Sequence, residues 1–161
     1  MPGMELDPQG LEVLSRPQCL RLLRRRTIGR VVFCVDDLPA AFPVNYALLD
    51  DDVVFRSAAG AKLSAAFDGD MLAFQVDRVD PVLHSGWSVL VRGEASILRV
   101  PDEVARAGRL GLRPTAPGER PFFVRIRSTN VSGRRFASPV ESMAESFGAA
   151  DRAATQVDRT A

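Results

Sequence analysis

Ile28-Gly29-Arg30-Val31-Val32-Phe33-Cys34-Val35 is almost wholly apolar, β-branched or aromatic, and Asp36-Asp37 interrupts it sharply. Branched and aromatic side chains pack well on a pleated surface and paired aspartates favour a reversal, so the stretch reads as a strand that ends in a turn. The same grammar continues downstream. A second strand is expected over 40–49, the acidic trio Asp50-Asp51-Asp52 supplies the next turn, and Val53-Val54-Phe55-Arg56 is a short third strand, which together make a meander. From Met71 to Val79, Leu72, Phe74 and Val76 alternate with more polar neighbours, the period of a fourth strand. A long fifth strand runs from Trp87 to Leu98 after the turn at Gly86, and Phe122 to Arg127 forms a sixth. Six strands with tight turns and only short helices point to a mainly β fold, a small six-stranded antiparallel barrel, rather than to parallel βαβ units.

Ser15-Arg16-Pro17-Gln18 reads as a helix start, because Ser15 can cap, Gln18 can reach back and Pro17 is tolerated in the first turn. Cys19, Leu22 and Leu23 supply its apolar stripe, Arg21, Arg24 and Arg25 its opposite face, and the approach of Gly29 stops it near Arg26 or Thr27. That basic face reads as solvated, since no aromatic residues interleave with it as a nucleic-acid stacking surface requires. One or two helical turns are expected over 62–67 and a connecting helix over 101–110. Residues 1–136 then form one domain, and 137–161, rich in Ala, Ser, Asp and Arg without apolar periodicity, read as a mobile or weakly helical tail.

A chain of 161 residues, 46% hydrophobic, can bury its own core. Its 21 basic and 20 acidic residues leave no net field to draw it onto nucleic acid or an anionic membrane. The N-terminus lacks a basic start with an apolar run, and no stretch is long and apolar enough to span a bilayer, so a cytoplasmic protein is expected. Cys19 and Cys34 lie in apolar segments without metal-ligand spacing and read as reduced, buried thiols. Lysine occurs once, at Lys62, every other basic side chain being arginine, and Tyr46, Trp87 and His84 are likewise single occurrences.

Val53-Val54-Phe55-Arg56-Ser57-Ala58-Ala59-Gly60-Ala61-Lys62 sets a strand, a loop and a helix start in order. An arginine fork, a hydroxyl, small residues that let backbone amides approach, and a helix N-terminus are the parts of a phosphate site. The first glycine of a Walker loop is missing and Leu63 follows Lys62, which disfavours ATP hydrolysis. On spacing alone, a surface turn where Arg56 and Lys62 merely solubilise fits equally well. Pro43-Val44-Asn45-Tyr46 breaks strand rules in mid-strand, and the Asn45 amide suits the edge of a heteroaromatic ring. The plainer alternative is an edge strand with a bulge. Trp87, next to Gly86 and Ser88, is either a ring-stacking wall or a core anchor, and His84 has no partner at the spacing of a hydrolytic triad or a metal site.

Together these residues resemble the pyridoxamine 5′-phosphate oxidase-like family of FMN-binding split barrels, in particular its small actinobacterial members. The resemblance covers about 15–136 and is carried by Thr27-Ile28-Gly29-Arg30-Val31, Pro43-Val44-Asn45-Tyr46, Phe55-Arg56-Ser57 with Gly60 and Lys62, and Gly86-Trp87-Ser88-Val89-Leu90-Val91-Arg92-Gly93. It implies a homodimeric six-stranded antiparallel split β-barrel with FMN at the subunit interface. Phosphate contacts are implied for Arg56, Ser57 and Lys62, and ring contacts for Pro43, Val44, Asn45, Tyr46, Trp87 and Ser88, with Arg134 as a late contact. The C-terminal substrate-binding Arg and His of pyridoxamine phosphate oxidase are not matched over 137–161, which argues against that substrate, and Ser57 stands where Thr is common. The implied activity is oxidoreduction of a small organic molecule by the flavin, with no catalytic base required. Two alternatives stay open: a reductase using a deazaflavin coenzyme, and a non-catalytic flavin or haem binder.

Overall fold

The computed structural model describes residues 5–35, 37–58, 69–113 and 118–136. In chain order the elements are β1 (Glu12–Leu14), α1 (Arg16–Arg24), β2 (Ile28–Val35), β3 (Leu38–Leu49), β4 (Asp52–Ser57), β5 (Met71–Asp80), β6 (Ser85–Ile97), α2 (Pro101–Gly108), β7 (Phe122–Ile126) and β8 (Asn130–Phe136). The expected helix over 62–67 and the tail over 137–161 lie outside the described residues.

Antiparallel pairing runs β6-β5-β2-β3-β4-β7, and β7 returns to β6, closing a six-stranded barrel. Closure removes the free edges an open sheet would expose. The barrel has the six strands expected, and among the described residues two further strands, β8 and β1, extend the sheet from β6 outside the ring. Along one edge β6 pairs with β8 from Gly86 to Arg92, then with β7 from Ala95 to Ile97, so the barrel splits between them. Gly93 sits at that junction, where an added Cβ would lie 1.7 Å from the Arg127 carbonyl oxygen. Only a residue without a side chain lets the chain leaving β7 cross so close.

Strand alternation sorts the side chains. Val31, Phe33, Tyr46, Val53, Phe55, Phe74, Val76, Val89, Val91, Val124 and Ile126 fill the interior. Burying each of these larger apolar groups contributes about 1.5–3 kcal/mol. Gly29 faces the same core, its missing Cβ replaced by the Phe74 ring, which would approach it to 2.2 Å. Helix α1 packs on the core through Cys19, Leu20 and Leu23, and its start is fixed by the Ser15 N–H donating to Gln18 Oε1 at 2.7 Å. The stripe thus includes Leu20, with Leu22 only half-buried. Cys34 corrects the expectation of two buried thiols: its even position on β2 turns it outward, and it is exposed.

A second cluster lies outside the barrel, where α2 covers Leu49 and Val54 with Ala107. The β3–β4 reversal pairs Leu49 with Asp52 around Asp50 and Asp51, at φ 51° and 69°. Two positive φ values in a two-residue loop favour Asp, Asn or Gly, which accounts for the aspartates.

Candidate functional site

The outer wall of the barrel above α2 carries an ordered row of side chains. Ser88 pairs with Asp77, Ile28 with Asn45, and Arg56 with Phe123. Continuing the β2–β5 and β3–β4 registers by one or two steps sets Asp77 beside Ile28 and Asn45 beside Arg56. These residues share one level and one face, because each alternates with an interior neighbour. Neighbouring strands lie about 4.8 Å apart, so Ser88 to Arg56 spans roughly 19 Å along the wall.

Arg56 is held in place: its Nε donates to the Arg120 carbonyl at 2.9 Å and its guanidinium lies 5.4 Å from the Phe123 ring centroid. The terminal nitrogens make no hydrogen bond among the described residues, so the fork is oriented and able to take an anion. Ser57 leaves β4 on the opposite, interior side and is 3% exposed. Among the described residues its hydroxyl has a 3.5 Å contact, to the Ala58 carbonyl, which is too long for a good hydrogen bond. Arg56 and Ser57 therefore leave the end of β4 on opposite faces. Gly60 and Lys62 lie outside the described residues.

Pro43 and Asn45 are on the outer face, Val44 and Tyr46 on the inner one. The Asn45 Nδ2 donates to the Arg113 carbonyl at 2.6 Å, so the segment after α2 reaches over the row. Asn45, Leu48, Arg26 and Leu110 to Arg113 line a cavity of about 480 Å³ there. The Tyr46 ring packs edge-on against Phe74 with centroids 4.7 Å apart, and its hydroxyl donates to the Leu23 carbonyl at 2.6 Å. Burial pushes its pKa far above the usual phenol value, so the hydroxyl stays a donor. The Tyr46 side chain is thereby committed to the core and to α1, and its backbone N–H donates to the Thr27 carbonyl at 2.9 Å.

Trp87, on the interior parity of Val89, packs against the core and lines a 290 Å³ cavity at the barrel mouth with Arg78, Phe136 and Arg135. Within one copy Trp87 and Asn45 line different cavities. Arg134 pairs with Ser88 in β8 but its Nε is bound by Asp7 Oδ2 at 2.5 Å. Hydrogen bonds from the Leu11 amide and from Arg134 hold the Asp7 carboxyl below its ordinary pKa. His84 is exposed at φ 49° in the β5–β6 turn.

A third cavity, about 570 Å³, opens between the end of α1 and the β2–β5 side, lined by Arg25, Arg26, Thr27, Arg30, Pro43 and Arg78 among others. Arg21, Arg24 and Arg25 are exposed, as expected, and no signal in the sequence joins Arg25 and Arg26 to Arg78, about fifty positions away.

Comparison with known proteins identifies the family and the fold. The family model described as pyridoxamine 5′-phosphate oxidase matches residues 15–135. An uncharacterised protein of Mycobacterium tuberculosis is 37% identical over 130 residues, covering 78% of this chain and 85% of that one. The structure of an FAD binding protein from Mycobacterium smegmatis superposes with a TM-score of 0.67 at 38% identity, over 78% of this chain and 98% of that one. A Corynebacterium diphtheriae protein of unknown function gives 0.66 at 35% identity, over 81% and 100%. A closed antiparallel barrel split at β6, matched over three quarters of its length by that family model, makes this chain a member of the pyridoxamine 5′-phosphate oxidase family.

Proposed function

We propose that this protein binds a flavin, FMN in the first instance, along the outer row of the barrel and uses it to oxidise or reduce a small organic molecule. The observation that carries the reading is the row itself, with an oriented arginine fork at Arg56, an amide at Asn45 and an apolar side chain at Ile28, all on one face. A flavin mononucleotide presents matching chemistry: a phosphate, a hydrogen-bonding ring edge and an apolar ring face. Membership of the family and 38% identity to an FAD binding protein support it. When bound, the flavin supplies hydride or electron transfer. Arg56, with Ser57 and Lys62, would hold the phosphate, while Asn45 and the backbone of Pro43 to Tyr46 orient the ring. The unmatched ending over 137–161 favours a substrate other than pyridoxamine phosphate.

A second copy of this chain is the proposed cover of the site. Ile28, 55% exposed, lies on the row, while Leu38 and Phe42, 71% and 48% exposed, lie on the other face of the β2–β3 hairpin with Val44, and exposed apolar side chains of this size suit an interface. Trp87 and Ser88 of that copy would then approach the ring.

Titration with FMN, FAD and a deazaflavin coenzyme, read by absorbance and by melting temperature, tests the reading. FMN should bind and stabilise. Each charge-assisted contact contributes roughly 1.5–3 kcal/mol, so Arg56→Ala with Lys62→Ala should weaken FMN by about two orders of magnitude or more. Unchanged affinity in that variant, or a wild type that binds no flavin, would sink it. Tighter binding of the deazaflavin would instead favour a reductase of that type.

A further inference from the structure

We propose that the cavity between the end of α1 and the β2–β5 side is a second anion site, one that binds a phosphate group distinct from any held at Arg56. Its volume of about 570 Å³ lies in the range of small-molecule sites. Four arginines, Arg25, Arg26, Arg30 and Arg78, face a single carboxylate, Asp77. Arg30 Nη1 donates to Asp77 Oδ1 at 2.9 Å and neutralises it. The side chains of Arg25, Arg26 and Arg78 have no hydrogen bond or ion pair among the described residues. Three uncompensated cations therefore meet at one cavity in a chain whose formal net charge is only +1.

The simpler account is the negative end of the α1 dipole, which attracts basic residues to the last turn. It explains Arg25 and Arg26 in part. Yet two of the last carbonyls already accept: Leu23 from the Tyr46 hydroxyl and the Arg26 amide, and Leu22 from the Arg25 amide. It does not explain Arg78, which the pairing of β5 with β2 carries to the same place. Guanidinium groups from two parts of the chain, with Thr27 also on the lining, suit the many oxygens of a phosphate or diphosphate. Strands β5 and β4 are three spacings apart in the sheet, about 14 Å, so one phosphate cannot serve both Arg78 and Arg56. The phosphate has two possible sources, the second phosphate of a dinucleotide cofactor or a phosphate of a separate dinucleotide substrate.

Inorganic pyrophosphate is the probe, titrated into the full-length protein by calorimetry at low salt. Saturable binding is expected, weakened about tenfold or more by Arg26→Ala with Arg78→Ala, partly restored when Arg78→Lys replaces Arg78→Ala, and unaffected by Arg21→Ala elsewhere on α1. No saturable binding, or equal binding by the double variant, overturns the site. If that variant weakens FAD and spares FMN, the phosphate belongs to the cofactor; if it spares both and weakens a reduced nicotinamide dinucleotide, the phosphate belongs to a second substrate. Loss of FMN and FAD alike with pyrophosphate retained also overturns it. Pyrophosphate binding requires no flavin, so this site and the flavin reading stand or fall separately.

Discussion

At the β3–β4 turn every aspartate faces a cation. Arg24 pairs with Asp51, Arg106 Nη2 donates to Asp50 Oδ1 at 2.5 Å, and Arg125 lies between Asp52 and Glu103. Asp52 also accepts from the Ser128 amide at 2.8 Å, the Ser128 hydroxyl donates to the Asp51 carbonyl, and Arg16 reaches the Ser128 carbonyl. The turn thus joins α1, α2, β7 and the link to β8. At the rim of the α1–β5 cavity, by contrast, Arg25, Arg26 and Arg78 find no carboxylate among the described residues. Charges that assemble the fold are matched inside the fold, and charges the fold leaves unmatched are the ones available to a ligand. The same side-chain type does both, and only its neighbours distinguish the roles.

The contrast makes measurable claims. Arg125→Ala should cost the most, about 3 kcal/mol in urea unfolding, because its guanidinium is only 13% exposed and its loss strands Asp52 and Glu103 together. A change under about 0.5 kcal/mol would show that the acidic turn is held by its backbone alone.

Tyr46→Phe removes the hydroxyl that ties β3 to the end of α1 and should cost about 1 kcal/mol. It should also loosen the rim enough to weaken pyrophosphate binding while leaving the turn intact. Equal stability of the variant and the wild type would mean that α1 is seated by apolar packing alone.

Arg25→Ala, Arg26→Ala and Arg78→Ala should each move stability by no more than about 0.5 kcal/mol without ligand, as surface substitutions away from a folding network do. A larger loss in any of them would place that arginine on the folding side of the comparison.

The smallest effect concerns pH. The Arg106 hydrogen bond holds the Asp50 carboxyl below its ordinary value of 3.8. A depressed folded-state pKa means that its contribution is present above that value and fades as pH falls through the folded one. Asp50→Asn should therefore lose less melting temperature than the wild type as pH drops from about 5 to about 3. Parallel curves for the two proteins would remove Asp50 from the acid-sensitive set.

Much of the architecture was legible because its causes are local. The β2 strand, the Ser15 and Gln18 start of α1 and the aspartate turn depend on side-chain shape, backbone preference and neighbours a few residues away. Strand β8 was not, since Asn130-Val131-Ser132-Gly133-Arg134-Arg135-Phe136 has no apolar alternation and is held by pairing with β6 and by Gly133 lying against Cys19. Of the site, Asn45 was legible as a rule-breaking strand residue and Arg56 as part of a phosphate-like run, and both face outward on the same level. Their separation from Ser57 and Tyr46 onto the other face follows once the barrel has an inside, which a short motif does not specify.

What the amino-acid order settled without further help was the inventory: strands, turns, one capped helix, and a phosphate-like run ending at Lys62. Closure of the barrel settled the rest, because it chose which alternate residues face water and brought Arg78 of β5 to the same cavity as Arg25 and Arg26 at the end of α1. Charge pairing is a through-space property, and residues fifty positions apart acquire it only when the chain has folded.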